Sequence, residues 1–275
     1  MKNNRSNIGP LLQASGMDVS KYDESFLEKV AGIRISATGC PSEEAYAVLL
    51  DASPEERQTL TESIRISYSE FFRNPLTFAV LERIIMPSLA LRNKKAGQKE
   101  IRIWSAACAA GQEPYSIAML LEEMNSFNEG SDYRIFATDA DTIQVIRAKT
   151  GIYQADALLN LTMRRVNNWF TKEGKVYEVK PQLKKQVDFS IFDLFSEQFS
   201  APPASIFGDF HLVFCSNLLF YYKPGYRDLI LRKMENSLAN GGFLVTGEAE
   251  RDLVPQNQYD EVVPGSAVFR LKTKR

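Results

Sequence analysis

A single histidine, His211, serves all 275 residues, and the three cysteines, Cys40, Cys108 and Cys215, stand far apart. One imidazole rules out a histidine-rich metal centre and leaves any Ser-His-Asp arrangement to His211 alone. His211 heads an apolar run, which reads as a structural position. An odd, scattered cysteine set implies neither a disulfide framework nor a zinc site, and the cytoplasm is the default compartment. No apolar run approaches the ~18 residues of a membrane span, and "MKNNRSNIGP" lacks the apolar segment of a signal peptide. A charge of one sign is missing too. Lys and Arg number 33 against 34 Asp and Glu, a balance unsuited to neutralising a nucleic-acid backbone. What the chain does have is 44% hydrophobic residues, enough for one large or two modest domains.

The first third reads as helices. "DESFLEKVAGI" puts Phe26, Val30 and Ile33 on one stripe, and Ser42 can cap the helix of "PSEEAYAVLLDA". Ser53, Pro54 and Glu56 form a capping-box signature. A further helix starts at Asn74-Pro75 and buries Phe78, Leu81 and Ile85. From Ile101 strands alternate with helices, with strands expected at 101–107, 133–138, 186–192, 210–216, 242–247 and 267–273. A helix from Pro224 should stop at Asn240-Gly241-Gly242. Such alternation implies a mostly parallel sheet covered on both faces. The last two strands are joined by "EAERDLVPQNQYDEVVPGS", which has no helical pattern, so they should pair antiparallel. The expected layout is a helical domain at 1–65, a linker and connecting helix at 66–100, and an α/β domain at 101–275. A small β-subdomain, about 158–186, is inserted in the last.

The stretch "IWSAACAAGQEPYSIAMLLEE" runs an apolar strand through the smallest residues straight into a helix. A bare strand-to-helix turn lets a ligand approach the main chain, although close packing alone also accounts for one. Only Gly111 lies there, so the G-x-G-x-x-G of a dinucleotide oxidoreductase is missing. Asp139 ends the second strand, where a carboxylate can accept from both hydroxyls of a ribose or cap the next helix. The strand "LVFC" ends at Ser216-Asn217 with Tyr221 beyond, and Arg73 lies among aromatics in "SYSEFFRNP". A nucleic-acid adenine methyltransferase would want two prolines after Asn217, and "SNLLFY" has none.

Taken together, "SEFFRNP", "IWSAACAAGQEPYS", "ATDAD" and "CSNLLFYY" resemble the chemotaxis receptor methyltransferases, the CheR family, from about Asp18 to Lys272. The resemblance implies a Rossmann-like S-adenosylmethionine methyltransferase sheet with an N-terminal all-helical domain and a small inserted β-subdomain. It implies methyl transfer from S-adenosyl-L-methionine, leaving S-adenosyl-L-homocysteine, to glutamate side chains on the cytoplasmic helical domain of a chemoreceptor. Ser67, Ser69 and Arg73 are then expected at the cofactor, with Ala107 in the turn, Glu113 on the methionine part and Asp139 on the ribose. Asp193 and Leu194 would lie against adenine, and Ser216, Asn217 and Leu218 on the other side. Arg73 and Tyr221 would orient the acceptor carboxylate. Ser216 stands where the family usually has Arg, and Gln112 where its motif has the first Glu. The short "TKEGKVYEVKPQ" implies action independent of a receptor's C-terminal pentapeptide. The expected protein is a monomer with no metal, no nucleic acid and no membrane insertion. A degenerate regulatory module that binds the cofactor without turnover, or a different acceptor, is the alternative.

Overall fold

The computed structural model describes residues 8–14, 16–64, 68–97, 100–126, 131–205 and 208–272. The chain forms two compact units: one spans Met1–Ile66 with Phe220–Asp228, the other Ser67–Leu219 with Leu229–Arg275.

The first unit holds helices α1 (Ile8–Ala14), α2 (Glu24–Thr38), α3 (Glu43–Ala52) and α4 (Pro54–Ile64). Their starts follow local chemistry. Asp23 caps α2 by accepting from Ser25 N, and Ser42 caps α3 by accepting from Ala45 N. Ser53 Oγ accepts from Glu56 N at 3.2 Å at the head of α4. Each such cap contributes about 1 kcal/mol. The reciprocal half of the expected capping box does not form. The Glu56 carboxylate instead takes two bonds from Arg34, at 2.9 and 2.6 Å, and one from Tyr46 Oη at 2.8 Å. A fork and a phenol inside the bundle outbid a backbone N–H, that of Ser53, which Leu49 O already satisfies at 2.8 Å. The expected stripe on α2 is also shifted. Leu27 and Ala31 are buried, Phe26 and Val30 are partly buried, and Ile33 is 66% exposed. The returning segment is stitched on by backbone: Asp23 N donates to Tyr221 O, and Lys223 N to Lys21 O. Tyr222 stacks on Tyr22, and Arg227 pairs with Asp23 at 3.1 Å.

The second unit begins with α5 (Pro75–Val80), a π turn at Leu81–Ile85 and α6 (Met86–Ala96). Next come β1 (Glu100–Ala106), α7 (Gln112–Asn125), β2 (Asp132–Asp139) and α8 (Thr142–Thr150). Then β3 (Ile152–Gln154), α9 (Met163–Trp169), β4 (Phe170–Glu173), β5 (Val176–Val179) and α10 (Pro181–Lys184) follow. The remainder is β6 (Val187–Ile191), β7 (Phe210–Cys215), α11 (Pro224–Ser237, counted with this unit from Leu229 on), β8 (Leu238–Thr246), β9 (Tyr259–Glu261) and β10 (Val268–Leu271).

The main sheet has the order β6-β2-β1-β7-β8-β10-β9. Its first five strands run parallel, and β10 is antiparallel to both β8 and β9. Strands β1 and β7 are buried along most of their length, as central parallel strands covered on both faces are. The loop before β10, expected to lack structure, contributes a 3-10 turn at Glu248–Leu253 and the edge strand β9. Strand β8 starts at Leu238, before the Asn240-Gly241-Gly242 stop. The insertion is a three-stranded sheet, β3-β5-β4, that begins at Ile152. His211 is structural: its Nδ1 accepts from Arg102 N at 3.1 Å, and burial holds its pKa below the usual value.

Phe71 is fully buried, its ring set edge-on to Tyr153 at 4.9 Å and to Phe170 at 5.6 Å. It ties the segment before α5 to the inserted sheet. Phe71→Ala is expected to cost about 3–5 kcal/mol, read as a lowered urea midpoint in equilibrium unfolding.

Candidate active site

Strand order decides where a ligand can sit. β1 has β2 on one side and β7 on the other, so the chain switches direction of winding between β1 and β7. A crevice opens outside the carboxyl ends of strands at such a point. Here a narrow cleft holds about 480 Å³ of empty space, part of it open to solvent. Ala107 reaches it from β1, Ser216 and Asn217 from β7, and Thr246 from β8, with Arg73 on the segment before α5.

The turn after β1 is contorted. Ala107 and Ala109 have φ of 58° and 47°, and Gly111 has φ of 91°. A Cβ on Gly111 would lie 2.9 Å from Ala148 Cβ, so glycine alone fits between α7 and α8. Left-handed alanines cost energy and persist where the surroundings over-determine them. One such determinant is Asp139, which is 8% exposed. Its Oδ2 accepts from Ala109 N at 2.8 Å and its Oδ1 from Asp141 N at 2.9 Å. The N–H of Ala140 bonds the carboxylate as well, which leaves one of its four lone pairs for a further donor. The helix cap is Asp141, which accepts from Ile143 N, so Asp139 is not the cap of α8. Burial pushes the Asp139 carboxyl up, against the pull of those backbone N–H groups.

Glu113, in the first turn of α7, lines the cleft and is otherwise enclosed by protein. Ser105 Oγ, on β1, donates to it at 2.7 Å, and the Ser216 hydroxyl bonds to it as well. Burial lifts its pKa to about 7. The two hydroxyls and the positive charge of Arg73 pull it down, and the negative charge of Glu250 adds to the rise. Cys108 and Cys215 are buried beside these carboxyls, and their thiols are pushed well above the ordinary value, so neither is a thiolate nucleophile.

Arg73 is displayed by a second contorted turn, between Phe72 at φ 50° and Asn74 at φ 63°. Phe72 N donates to Ser116 Oγ at 3.0 Å, and the Arg165 guanidinium lies 4.0 Å from the centre of the Phe72 ring. The Arg73 guanidinium sits 5.4 Å from the Tyr68 ring centre. The arginine is thus mounted on a turn held from α7 and α9.

Of the residues expected from sequence, the cleft brings together Ser69, Arg73, Ala107, Glu113, Ser216 and Asn217. Asp139 lies behind the turn as its brace, and Leu218 is buried at the end of β7. Asp193 and Leu194 follow β6, where Asp193 is exposed and accepts from Phe195 N at 2.9 Å. They do not line the cleft. Tyr221 belongs to the helical unit, its ring 4.8 Å from that of Phe26. Ser67 lies outside the described residues. Sequence reading missed Thr246 and Ser105, although the carboxyl end of β8 was a place to look, and it missed Glu250. Among the described residues no three His, Cys, Asp or Glu side chains gather in a metal-binding group, and no helix is long and apolar enough to cross a membrane.

The donor set suits a nucleoside that carries an amino acid and no phosphate. Glu113 can meet an ammonium in the cleft and Asp139 a hydroxyl from behind the bare turn, and Arg73, with the Glu70 carboxyl also in the lining, is the one cation among the described residues there. A phosphate would need more cations or an array of free N–H groups.

The family model described as CheR methyltransferase, SAM binding domain, matches residues 67–269. The chain is 31% identical over 223 residues to chemotaxis protein methyltransferase 1 of Pseudomonas aeruginosa, covering 78% of each chain. It is 30% identical over 239 residues to a chemotaxis protein methyltransferase of Borreliella burgdorferi, 86% of this chain and 83% of that one. It is also 28% identical over 262 residues to the "Probable biofilm formation methyltransferase WspC" of P. aeruginosa, 93% of this chain and 58% of that one.

Asp139→Ala should leave the N–H groups of Ala109 and Asp141 without acceptors. The expected loss is about 1–3 kcal/mol of stability, measured by urea unfolding, with weakened binding of S-adenosylhomocysteine by calorimetry.

Proposed function

Because the chain belongs to the CheR methyltransferase family, we propose that it methylates glutamate side chains on the cytoplasmic helical domain of a chemoreceptor. The observation that carries this reading is the pairing, in one cleft at the switch point, of a carboxyl held by two serines with a single arginine. When bound, S-adenosylmethionine supplies an electrophilic methyl group on a sulfonium. Glu113 would hold its ammonium and Asp139 its ribose, with Ala107, Ser69, Ser216, Asn217 and Leu218 around it and Asp193 and Leu194 toward the base.

An acceptor glutamate is already ionised near neutral pH, so the protein needs no strong general base. Its work is to align the nucleophile, exclude water and balance charge. Arg73 would grip the acceptor carboxylate through its planar fork, and Tyr221 remains the second donor on the strength of its motif. The grip has to stay moderate, since the nucleophile loses its charge during the transfer.

The β4–β5 hairpin turns through only Gly174-Lys175, which supports action without a receptor pentapeptide. We read the helical unit as an adjunct to the methyltransferase unit, and the whole as a cytoplasmic monomer. The match to a biofilm-formation relative across nearly the whole chain keeps receptor arrays other than those for motility within this reading.

Turnover of labelled S-adenosylmethionine on receptor-rich membranes tests the reading directly. Arg73→Ala is expected to lower kcat/KM on the receptor roughly ten- to a hundredfold, with cofactor affinity much less affected. Arg73→Lys should rescue poorly, because a point charge lacks the bidentate geometry. Unchanged turnover in Arg73→Ala would remove Arg73 from the mechanism.

The Glu113 carboxyl gives a pH test. With its pKa raised to about 7, the free protein carries a proton there at lower pH. An ammonium ligand favours the ionised form, so binding should release about half a proton at pH 7 and close to one at pH 6. Affinity should rise with pH and level off above about pH 7. For stability the sign is opposite to that of a salt-bridged acid: this group's contribution is full below its unfolded pKa and is lost as pH rises through about 7. Calorimetry in two buffers of different ionisation heat reads the proton count, and Glu113→Gln should abolish it.

A further inference from the structure

We propose that Glu250 is a positioning residue for this site: its carboxylate ties the turn after β7 to the end of β8 and so holds Ser216 and Asn217 at the cleft. Glu250 lies in the 3-10 turn after β8 and is 0% exposed. Its Oε2 accepts from Asn217 N at 2.7 Å and from Gly247 N at 2.8 Å, and its Oε1 accepts from Leu219 N at 2.6 Å. One carboxylate therefore closes the cap of its own turn and collects two N–H groups from the end of a neighbouring strand. The two strand ends touch closely. A Cβ on Gly247 would lie 2.8 Å from Asn217 Oδ1 and 3.0 Å from Asn217 N. Asn217 itself is left-handed, at φ 59°. A buried turn of that shape needs an outside acceptor for its N–H groups, and Glu250 is that acceptor.

Only a carboxylate serves here. A glutamine has one acceptor oxygen, and its amide N–H groups would face backbone donors. The effect reaches the cleft by two routes. Through the backbone, Glu250 places Ser216, whose hydroxyl bonds Glu113, and Asn217 beside it. Through space, its negative charge opposes ionisation of Glu113. The inference rests on the reading of Glu113 and Ser216 as cofactor-side residues. Leu219 is also the last residue before Phe220–Asp228, the segment that carries Tyr221, so the same carboxylate anchors the chain at that departure.

The two routes separate in two variants of the full chain, Glu250→Gln and Glu250→Asp. Each is titrated with S-adenosylhomocysteine from pH 5.5 to 8.5, with the folded fraction taken from thermal unfolding. Glu250→Gln loses charge and acceptors. Its affinity per folded molecule should fall about tenfold, and the midpoint of proton release should drop below the wild-type value. Glu250→Asp keeps the charge but is too short to reach all three N–H groups, so affinity should fall while the midpoint stays. A purely structural role predicts lower melting temperatures with wild-type affinity and midpoint per folded molecule, and that result overturns the proposal. If Glu250→Gln does not fold, Glu250→Asp decides alone: weakened affinity supports the proposal and wild-type affinity overturns it. Glu113→Gln, run in parallel, keeps the two readings apart. Wild-type affinity and proton release there would sink the role of Glu113 and leave the Glu250 affinity result standing.

Discussion

A carboxyl group at the dry end of a parallel sheet has to be surrounded by donors, and this requirement organises the whole carboxyl-end surface. Asp139 takes the N–H groups of Ala109 and Asp141, Glu250 those of Asn217, Leu219 and Gly247, and Glu113 the hydroxyls of Ser105 and Ser216. An unpaired buried charge would cost several kcal/mol, so each acid recruits donors, and Asp139 and Glu250 take theirs from backbone turns that they hold in shape. The left-handed Ala109 and Asn217 are both donors to such acids. Geometry and charge at the cleft are thus two faces of one arrangement: the groups that set the local field are the groups that bend the chain.

Charge balance then separates the two reactants. The acids favour a ligand bearing an ammonium and a sulfonium, and they disfavour a second carboxylate. On the proposed reading Arg73 would offset that bias on the acceptor's side, from a turn gripped by Ser116 and Arg165 rather than by the acids. With its one imidazole in a structural bond and Cys108 and Cys215 buried, the unit around the cleft has little to offer as base or nucleophile. Orientation and field are what it has, and methyl transfer to an ionised carboxylate asks for nothing more.

Local signals in the sequence carried most of the fold. Ser42, Ser53 and Asp23 start helices by bonds to N–H groups two or three residues on, and the run into Gly111-Gln112-Glu113 announces its turn by lack of bulk. What escaped the sequence depends on partners far along the chain. Glu56 abandoned its cap for Arg34, 22 residues away, and Glu250 meets Asn217 across 33. Ile33 misled because α2 packs along Leu27 and Ala31, and nothing in its own repeat says which side the other helices will cover. The positive φ of Phe72 is the same case, since no motif shows that Ser116 will wait for its N–H.

The helical unit is assembled from two separated pieces, Met1–Ile66 and Phe220–Asp228. During synthesis its four helices emerge first and then wait for the strand of chain that Asp23 and Lys21 bind. At 5–20 residues per second the intervening stretch of about 150 residues takes roughly 8–30 s to make. For that time the backbone of Asp23 and the ring of Tyr22 lack their partners in the returning segment. The first part of the protein to be translated is therefore completed only after strands β1 to β7 have been synthesised, and before β8, β9 and β10 emerge.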